Sequence, residues 1–116
     1  MNKEQNPNSQ QASRFNSGKL RWGLVDFDSI EEMVKVLEFG AKKYDEHNWK
    51  KGLPTVEICE SMMRHIFAYL RGEDEDLESG ISHIGHIMCN AMFLNYMQKN
   101  KPEFDNRFRE VREKGN

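Results

Sequence analysis

Along the chain, apolar side chains fall into three long stretches with a helical period, separated by polar segments without one. Over residues 30–44, Ile30, Met33, Val34, Leu37, Ala41 and Tyr44 recur at the spacing of one helix face, while Glu31, Glu32, Lys35, Glu38 and Lys42 fall elsewhere. Ser29 with Glu32 three residues later has the form of a capping box, so the helix is predicted to start at Asp28 or Ser29. A second helix is predicted from about Thr55 to Leu70. Its apolar stripe is Val56, Cys59, Met63, Ile66, Phe67 and Leu70, with Glu57, Glu60, Arg64 and Ala68 opposite and His65 near the stripe's edge. Gly72 supplies its stop. A third helix, from about Ile81 to Lys99 and starting after Ser79 or Ser82, is apolar around nearly its whole circumference, the mark of a buried central helix. Beyond Pro102, Phe104, Phe108 and Val111 predict a short amphipathic helix.

The segments between these stretches complete the organisation. Residues 1–13 are rich in Asn, Gln and Ser and nearly devoid of apolar side chains, so they are expected to form a disordered tail. Residues 14–27 mix basic, glycine and aromatic positions without a period and read as an ordered arm. Nothing reads as a strand. The expected fold is all-α: a small antiparallel bundle of three long helices, with the helical domain at 14–100 that carries any binding function and a C-terminal amphipathic helix or tail at 101–116. So apolar a third helix needs more cover than two neighbours give, and a homodimer or higher homo-oligomer is the expected remedy.

Composition narrows the partners. Lys and Arg number 17 against 19 Asp and Glu, a net charge of −2, which argues against a surface built to coat a nucleic-acid polymer. No apolar run approaches a membrane span and the first residues lack the form of a signal peptide, so a soluble, cytoplasmic protein is expected. Cys59 and Cys89 form neither a CxxC pair nor a disulfide framework and read as small core residues.

The candidate chemistry begins with misplaced polarity. His83, His86 and Asn90 lie at i, i+3 and i+7, one narrow polar line on an otherwise apolar helix. Neutral imidazoles are common metal ligands, and i, i+3 spacing points two of them at one ion. Just upstream, Glu73, Asp74, Glu75, Asp76 and Glu78 crowd carboxylates that repel one another unless a cation is near, and Mg²⁺ or Mn²⁺ favours such oxygens. His65, one turn before the acidic segment, is placed to close the same site. The alternative reading is that the histidines are satisfied core residues and the acids a solvated loop favouring the helix N-terminus.

A second cluster is basic and aromatic. Asn16-Ser17-Gly18-Lys19 is a glycine-bearing turn suited to phosphate, although it is no Walker A motif, and Arg14, Arg21, Lys42, Lys43, Lys50 and Lys51 add charge. Tyr44 and Trp49 are placed either to stack on a base or to fill the core. There is no HExxH, no GxSxG, no His-Asp dipeptide and no exposed nucleophilic cysteine pattern, which disfavours covalent catalysis.

Together the blocks RFNSGKLRWGL, FGAKKYDEHNWKKG and RHIFAYLRGEDEDLESGISHIGHIMCNAMFL, from Arg14 to Leu94, resemble the phage dATP/dGTP diphosphohydrolase family. In register with that family's pattern stand Gly40, Lys43, Tyr44, Asn48, Trp49, Gly52, Arg64, His65, Gly72, Glu73, Asp76, Glu78, Ser79, Gly80, His83, His86 and Asn90. The resemblance implies a helical enzyme that splits a purine deoxynucleoside triphosphate into monophosphate and pyrophosphate with Mg²⁺, Mn²⁺ or another divalent metal. The family is functionally similar to the MazG-like all-α pyrophosphohydrolases, but only Glu57-x-x-Glu60 matches that group's acidic motifs, and H-x-x-H stands where E-x-x-D is expected. On this reading Asp76, Glu78, His83 and His86 hold metal. Lys43, Arg64, His65 and Glu73 are the catalytic candidates, and Asn16, Lys19, Arg21, Tyr44, Asn48, Trp49 and Asn90 are the substrate-binding ones. The alternative is a non-catalytic phage sponge that sequesters a host nucleotide signal with the same groups.

Overall fold

The computed structural model describes residues 11–110. Three α-helices carry the architecture: α1 (Phe27–Lys43), α2 (Thr55–Leu70) and α3 (His83–Asn100). Short 3-10 turns stand at Trp22–Leu24, Asn48–Lys51 and Pro102–Phe104. Among the described residues there is no sheet, and the one bridge with both partners described joins Glu75 to Ser82 within the loop before α3. The all-helical expectation therefore holds.

Both outer helices pack on α3 rather than on each other, which makes α3 the central element. Against α2 it runs antiparallel, since Ser61 meets Asn90 while His65, later on α2, meets His83, earlier on α3. Against α1 it comes unusually close. A β-carbon added to Gly85 would lie 2.8 Å from both Cβ and the carbonyl oxygen of Glu32, so only glycine admits this approach. The start of α3 is capped as its sequence predicts, with Ser82 Oγ accepting the Gly85 N–H at 3.0 Å.

Three expectations need correction. The cap of α1 is Asp26, not Asp28 or Ser29, and the helix begins at Phe27. Asp26 is the N-cap, its carbonyl accepts the Ser29 N–H at 3.1 Å and its carboxylate accepts the Ser29 hydroxyl. Glu32 closes no capping box; it pairs with Lys35 at 2.8 Å. That bond first, and hydrogen bonds from Ser82 as well, hold the Glu32 carboxyl below its usual range.

The second correction concerns which face of α2 is buried. The packed residues are Ile58 and Ala68, with Ser61, Met62 and His65 between them, whereas Met63, Ile66, Phe67 and Leu70 are exposed. The helix is apolar on two faces, and α3 takes the one that carries Ser61 and His65. Periodicity counts apolar positions; it cannot say which of two such faces meets a neighbour.

The third correction concerns the C-terminal segment. After the single turn at Pro102–Phe104 no helix continues to residue 110, and Val111 lies outside the described residues, as do residues 1–10 of the expected tail. Instead the segment returns to α2. Asn106 Oδ1 accepts the Val56 N–H at 2.9 Å, satisfying a first-turn donor that Pro54 at the N-cap leaves open. Phe104 seats its ring on Gly52, whose φ of 130° and lack of a side chain both matter, because a β-carbon there would lie 2.1 Å from the ring. Phe108 stays exposed. Cys89 is buried and burial pushes its thiol up to about 12, so it is an inert core residue, as the sequence suggests.

Candidate functional site

The site forms where the loop between α2 and α3 folds back beside both helices. Its shape is set by backbone bonds: Asp76 N–H to Ile81 O at 2.9 Å, Gly80 N–H to Asp76 O at 2.8 Å, and His83 N–H to Asp74 O at 2.9 Å. One carboxylate oxygen of Asp76 accepts the N–H groups of Glu78 at 3.0 Å and Ser79 at 2.9 Å. Three of the acids have separate partners: Asp76 these N–H groups, Glu73 the His83 ring and Glu78 the Lys43 ammonium. Burial raises the Asp76 pKa most, but those N–H groups and the imidazoles of His86 and His65 outweigh it and leave the carboxyl below its ordinary value.

Three histidines converge on this loop. His65 Nδ1 and His83 Nδ1 are 2.8 Å apart, and His83 Nε2 is 2.8 Å from Glu73 Oε1. With its Nε2–H donated to that carboxylate, His83 keeps a lone pair on Nδ1, and in the absence of any other ligand His65 Nδ1–H donates to it. His86 stacks on His65, with ring centroids 4.4 Å apart and 8° between planes, and its Nε2 lies 2.7 Å from Ser79 Oγ. That hydroxyl oxygen already accepts the Ile81 N–H at 3.1 Å, which leaves its proton for His86. Desolvation is the main reason that His65 and His86 lie below the ordinary imidazole pKa, and neighbouring imidazoles add to it. Both rings are neutral at pH 7, the form in which imidazole binds a metal.

Donor atoms of His65, Asp76 and His83 all lie within 4.8 Å of one another. Two of these three, Asp76 and His83, belong to the expected metal set; His65 was expected as catalytic. Glu78 is instead paired with Lys43 Nζ at 2.6 Å, and His86 with Ser79. Glu73, expected as catalytic, is the outer partner of His83. A cavity of about 350 Å³ opens onto the group, lined by Val36, Tyr44, Ser61, His65, Asp76, Glu78, His86, Cys89, Asn90 and Phe93. Asn90 Nδ2 donates to Ser61 Oγ at 3.2 Å.

A larger, mostly apolar cavity of about 650 Å³ lies between α1, the Asp45–Lys50 loop and α3, and shares Val36, Tyr44 and Phe93 with the first. Asn48 and Trp49 line it. Trp49 stacks on Phe93 with centroids 4.6 Å apart and meets Tyr96 edge-on at 4.9 Å, so part of its ring is already committed to the core. His47 takes the left-handed conformation, φ 63°, at the rim of this cavity.

Residues 9–107 match the family described as dATP/dGTP diphosphohydrolase, N-terminal. The chain belongs to that family. It is 32% identical over 94 residues to a protein of Salmonella phage PMBT28 named dATP/dGTP diphosphohydrolase; the aligned part covers 81% of this chain and 32% of the relative. The chain thus spans about a third of that curated relative's length. No solved structure matches.

Not every position that the diphosphohydrolase resemblance picks out meets at the site. Arg64 is exposed and lines neither cavity, and Asn16, Lys19 and Arg21 of the arm line neither as well. The arm does make its predicted turn, with Lys19 N–H to Asn16 O at 3.1 Å and Gly18 at φ 82°. Sequence reasoning missed Ser61 and the hydroxyl role of Ser79. Ser61 stands one helical turn before His65 on the same face, and that i, i+4 spacing was the available signal.

Proposed function

We propose that this chain hydrolyses a purine deoxynucleoside triphosphate to the monophosphate and pyrophosphate at a divalent ion held by His65, Asp76 and His83. The observation that carries the reading is the convergence of these three donors within 4.8 Å, with Glu73 bonded to the far nitrogen of His83. That carboxylate–imidazole pair is the usual outer support of a metal-binding histidine. Two imidazoles and one carboxylate suit Mn²⁺ or another first-row transition ion better than Mg²⁺, which favours oxygen ligands. An ion held by these three residues would supply charge for phosphate oxygens and a water of lowered pKa.

The chain's own groups account for the rest. Glu73 fixes the tautomer of His83 and so directs its Nδ1 lone pair. His86, neutral and lining the same cavity as Asp76, turns its Nε2 from the Ser79 hydroxyl to take a proton from the water that attacks the α-phosphorus, and the bond from that phosphorus to the pyrophosphate oxygen breaks. Lys43, released from Glu78, supplies a cation for the departing pyrophosphate. The shared wall of the two cavities, Val36, Tyr44 and Phe93, allows phosphates to lie by the histidines while the base occupies the larger apolar cavity, with Asn48 and Asn90 offering hydrogen bonds.

The test is incubation with each of the four deoxynucleoside triphosphates and Mn²⁺ or Mg²⁺, followed by separation of the products. Purine monophosphate and pyrophosphate are expected, with Mn²⁺ the better activator. Recovery of intact nucleotide after tight binding would replace hydrolysis by sequestration. Failure of every nucleotide to bind or react, with folded protein and both ions, would overturn both.

A further inference from the structure

Two rungs of side chains cross from α2 to α3 beside the cavity that opens onto the histidines. In the first, the rings of His65 and His86 stack. The second stands one turn earlier on α2 and one turn later on α3, where Asn90 Nδ2 donates to Ser61 Oγ at 3.2 Å. The antiparallel course of the two helices sets this register, and it spaces the rungs by about 5.4 Å, the pitch of a helix. Ser61 and Asn90 are half-buried and both line the cavity. Their bond fixes which end of the amide is which. With Nδ2 on Ser61, Asn90 Oδ1 has no hydrogen-bond partner among the described residues and is not a buried orphan, so it opens on the cavity. An amide that served only to join two helices would have both ends satisfied within their contact; this one offers an acceptor to whatever occupies the space beside it.

His86, Asn90 and Phe93 follow one another on α3 at i, i+4 and i+7, a single stripe. His86 lies by the metal donors, Phe93 walls both cavities, and Asn90 stands between them and lines the smaller cavity alone. In a nucleotide the sugar joins the α-phosphate to the base. A triphosphate that runs along this stripe, from the histidines to the apolar cavity, therefore passes its sugar over Asn90. We propose that Asn90 Oδ1 accepts the 3′-hydroxyl of the deoxyribose, and that Ser61 is the positioning residue that holds the amide for it. The inference deepens the hydrolytic reading and rests on it. In a deoxynucleotide that hydroxyl is the sugar's one hydrogen-bond donor, and an analogue that lacks it leaves the half-buried amide oxygen unpaired. The base is not the partner, because Asn90 does not line the apolar cavity.

Calorimetric titration of the full chain with Mn²⁺ present, by the α,β-imido analogues of dATP and of 2′,3′-dideoxyATP, tests it; the imido bridge resists cleavage, so binding alone is read. The parent chain is expected to bind the deoxy analogue about tenfold tighter than the dideoxy one. Asn90→Ala is expected to bring that ratio close to one, with Mn²⁺ affinity in the absence of nucleotide unchanged. Ser61→Ala is expected to cut the ratio several-fold, and Ser61→Thr, which keeps a hydroxyl, to retain it. Alanine is well tolerated in a helix, so Ser61→Ala carries the test even where Asn90→Ala loses helix content by dichroism. Equal binding of the two analogues by the parent chain, or a ratio that folded Asn90→Ala or folded Ser61→Ala leaves unmoved, would overturn the inference and leave the proposed function standing. Binding of neither analogue by the folded chain with Mn²⁺ would overturn both.

Discussion

At Gly85 the backbone of α3 approaches α1 so closely that one methyl group decides whether the helices can meet. Gly85→Ala places a β-carbon 2.8 Å from the Glu32 carbonyl oxygen, and backbone cannot yield as a side-chain tip can. A loss of about 1–3 kcal/mol is expected, read as a lower urea midpoint with an unchanged slope. Glu73 answers to a different measurement. Because it touches His83 Nε2 and not the donor group itself, Glu73→Gln is expected to lower Mn²⁺ affinity about 10–100-fold by calorimetry while far-ultraviolet dichroism stays the same. The sequence marked Glu73 and His83 by type and spacing, yet it could not distinguish a ligand from the group that orients it. That difference is the choice of one nitrogen on one ring, which only the folded loop makes.

The same residues give a pH dependence. His65 and His86 have folded pKa values below the ordinary 6.5 of an unfolded imidazole, chiefly through burial. The unfolded chain therefore binds protons first as pH falls. Their contribution to stability is fully present above 6.5 and is lost from there down to the folded values. In a chelator the urea midpoint is expected to fall between about pH 7.5 and about pH 5.5, and His86→Asn is expected to shrink that fall. An unchanged midpoint for the parent chain would contradict the neutral imidazole stack.

At the scale of elements, each helix was legible for a particular reason. The span of α2 follows from Pro54 before it and Gly72 after it, and Ser82 announced the start of α3. The start of α1 was misread because Asp26, Asp28 and Ser29 are all competent caps. The bond between Ser29 and Asp26 that settles the matter is local, three residues apart, and any of the three caps could have made one like it. The packed face of α2 was misread because both faces are apolar, and the choice belongs to His65 and Ser61, which reach partners on α3. The C-terminal segment was read as a helix from Phe104, Phe108 and Val111. Its contacts go to Gly52 and Val56 instead, an anchoring that no periodicity encodes.

At the scale of the molecule, a central helix carries imidazoles inward to meet a folded acidic loop, and two adjoining cavities divide polar from apolar space beside it. The near-neutral charge of −2 conceals that segregation. The chain matches its family over residues 9–107 while spanning 32% of the phage relative, so the group at His65, Asp76 and His83 lies within the shared N-terminal region. On the proposed function these three side chains form the metal centre of a nucleotide pyrophosphohydrolase. The most direct measurement is pyrophosphate release from dATP and dGTP with Mn²⁺ by the parent chain, by Asp76→Asn and by His83→Gln, each checked for folding. Release by the parent chain and loss of at least about a hundredfold in both variants is the predicted result. Equal release by all three, or none by the folded parent chain with Mn²⁺ or Mg²⁺, would contradict it.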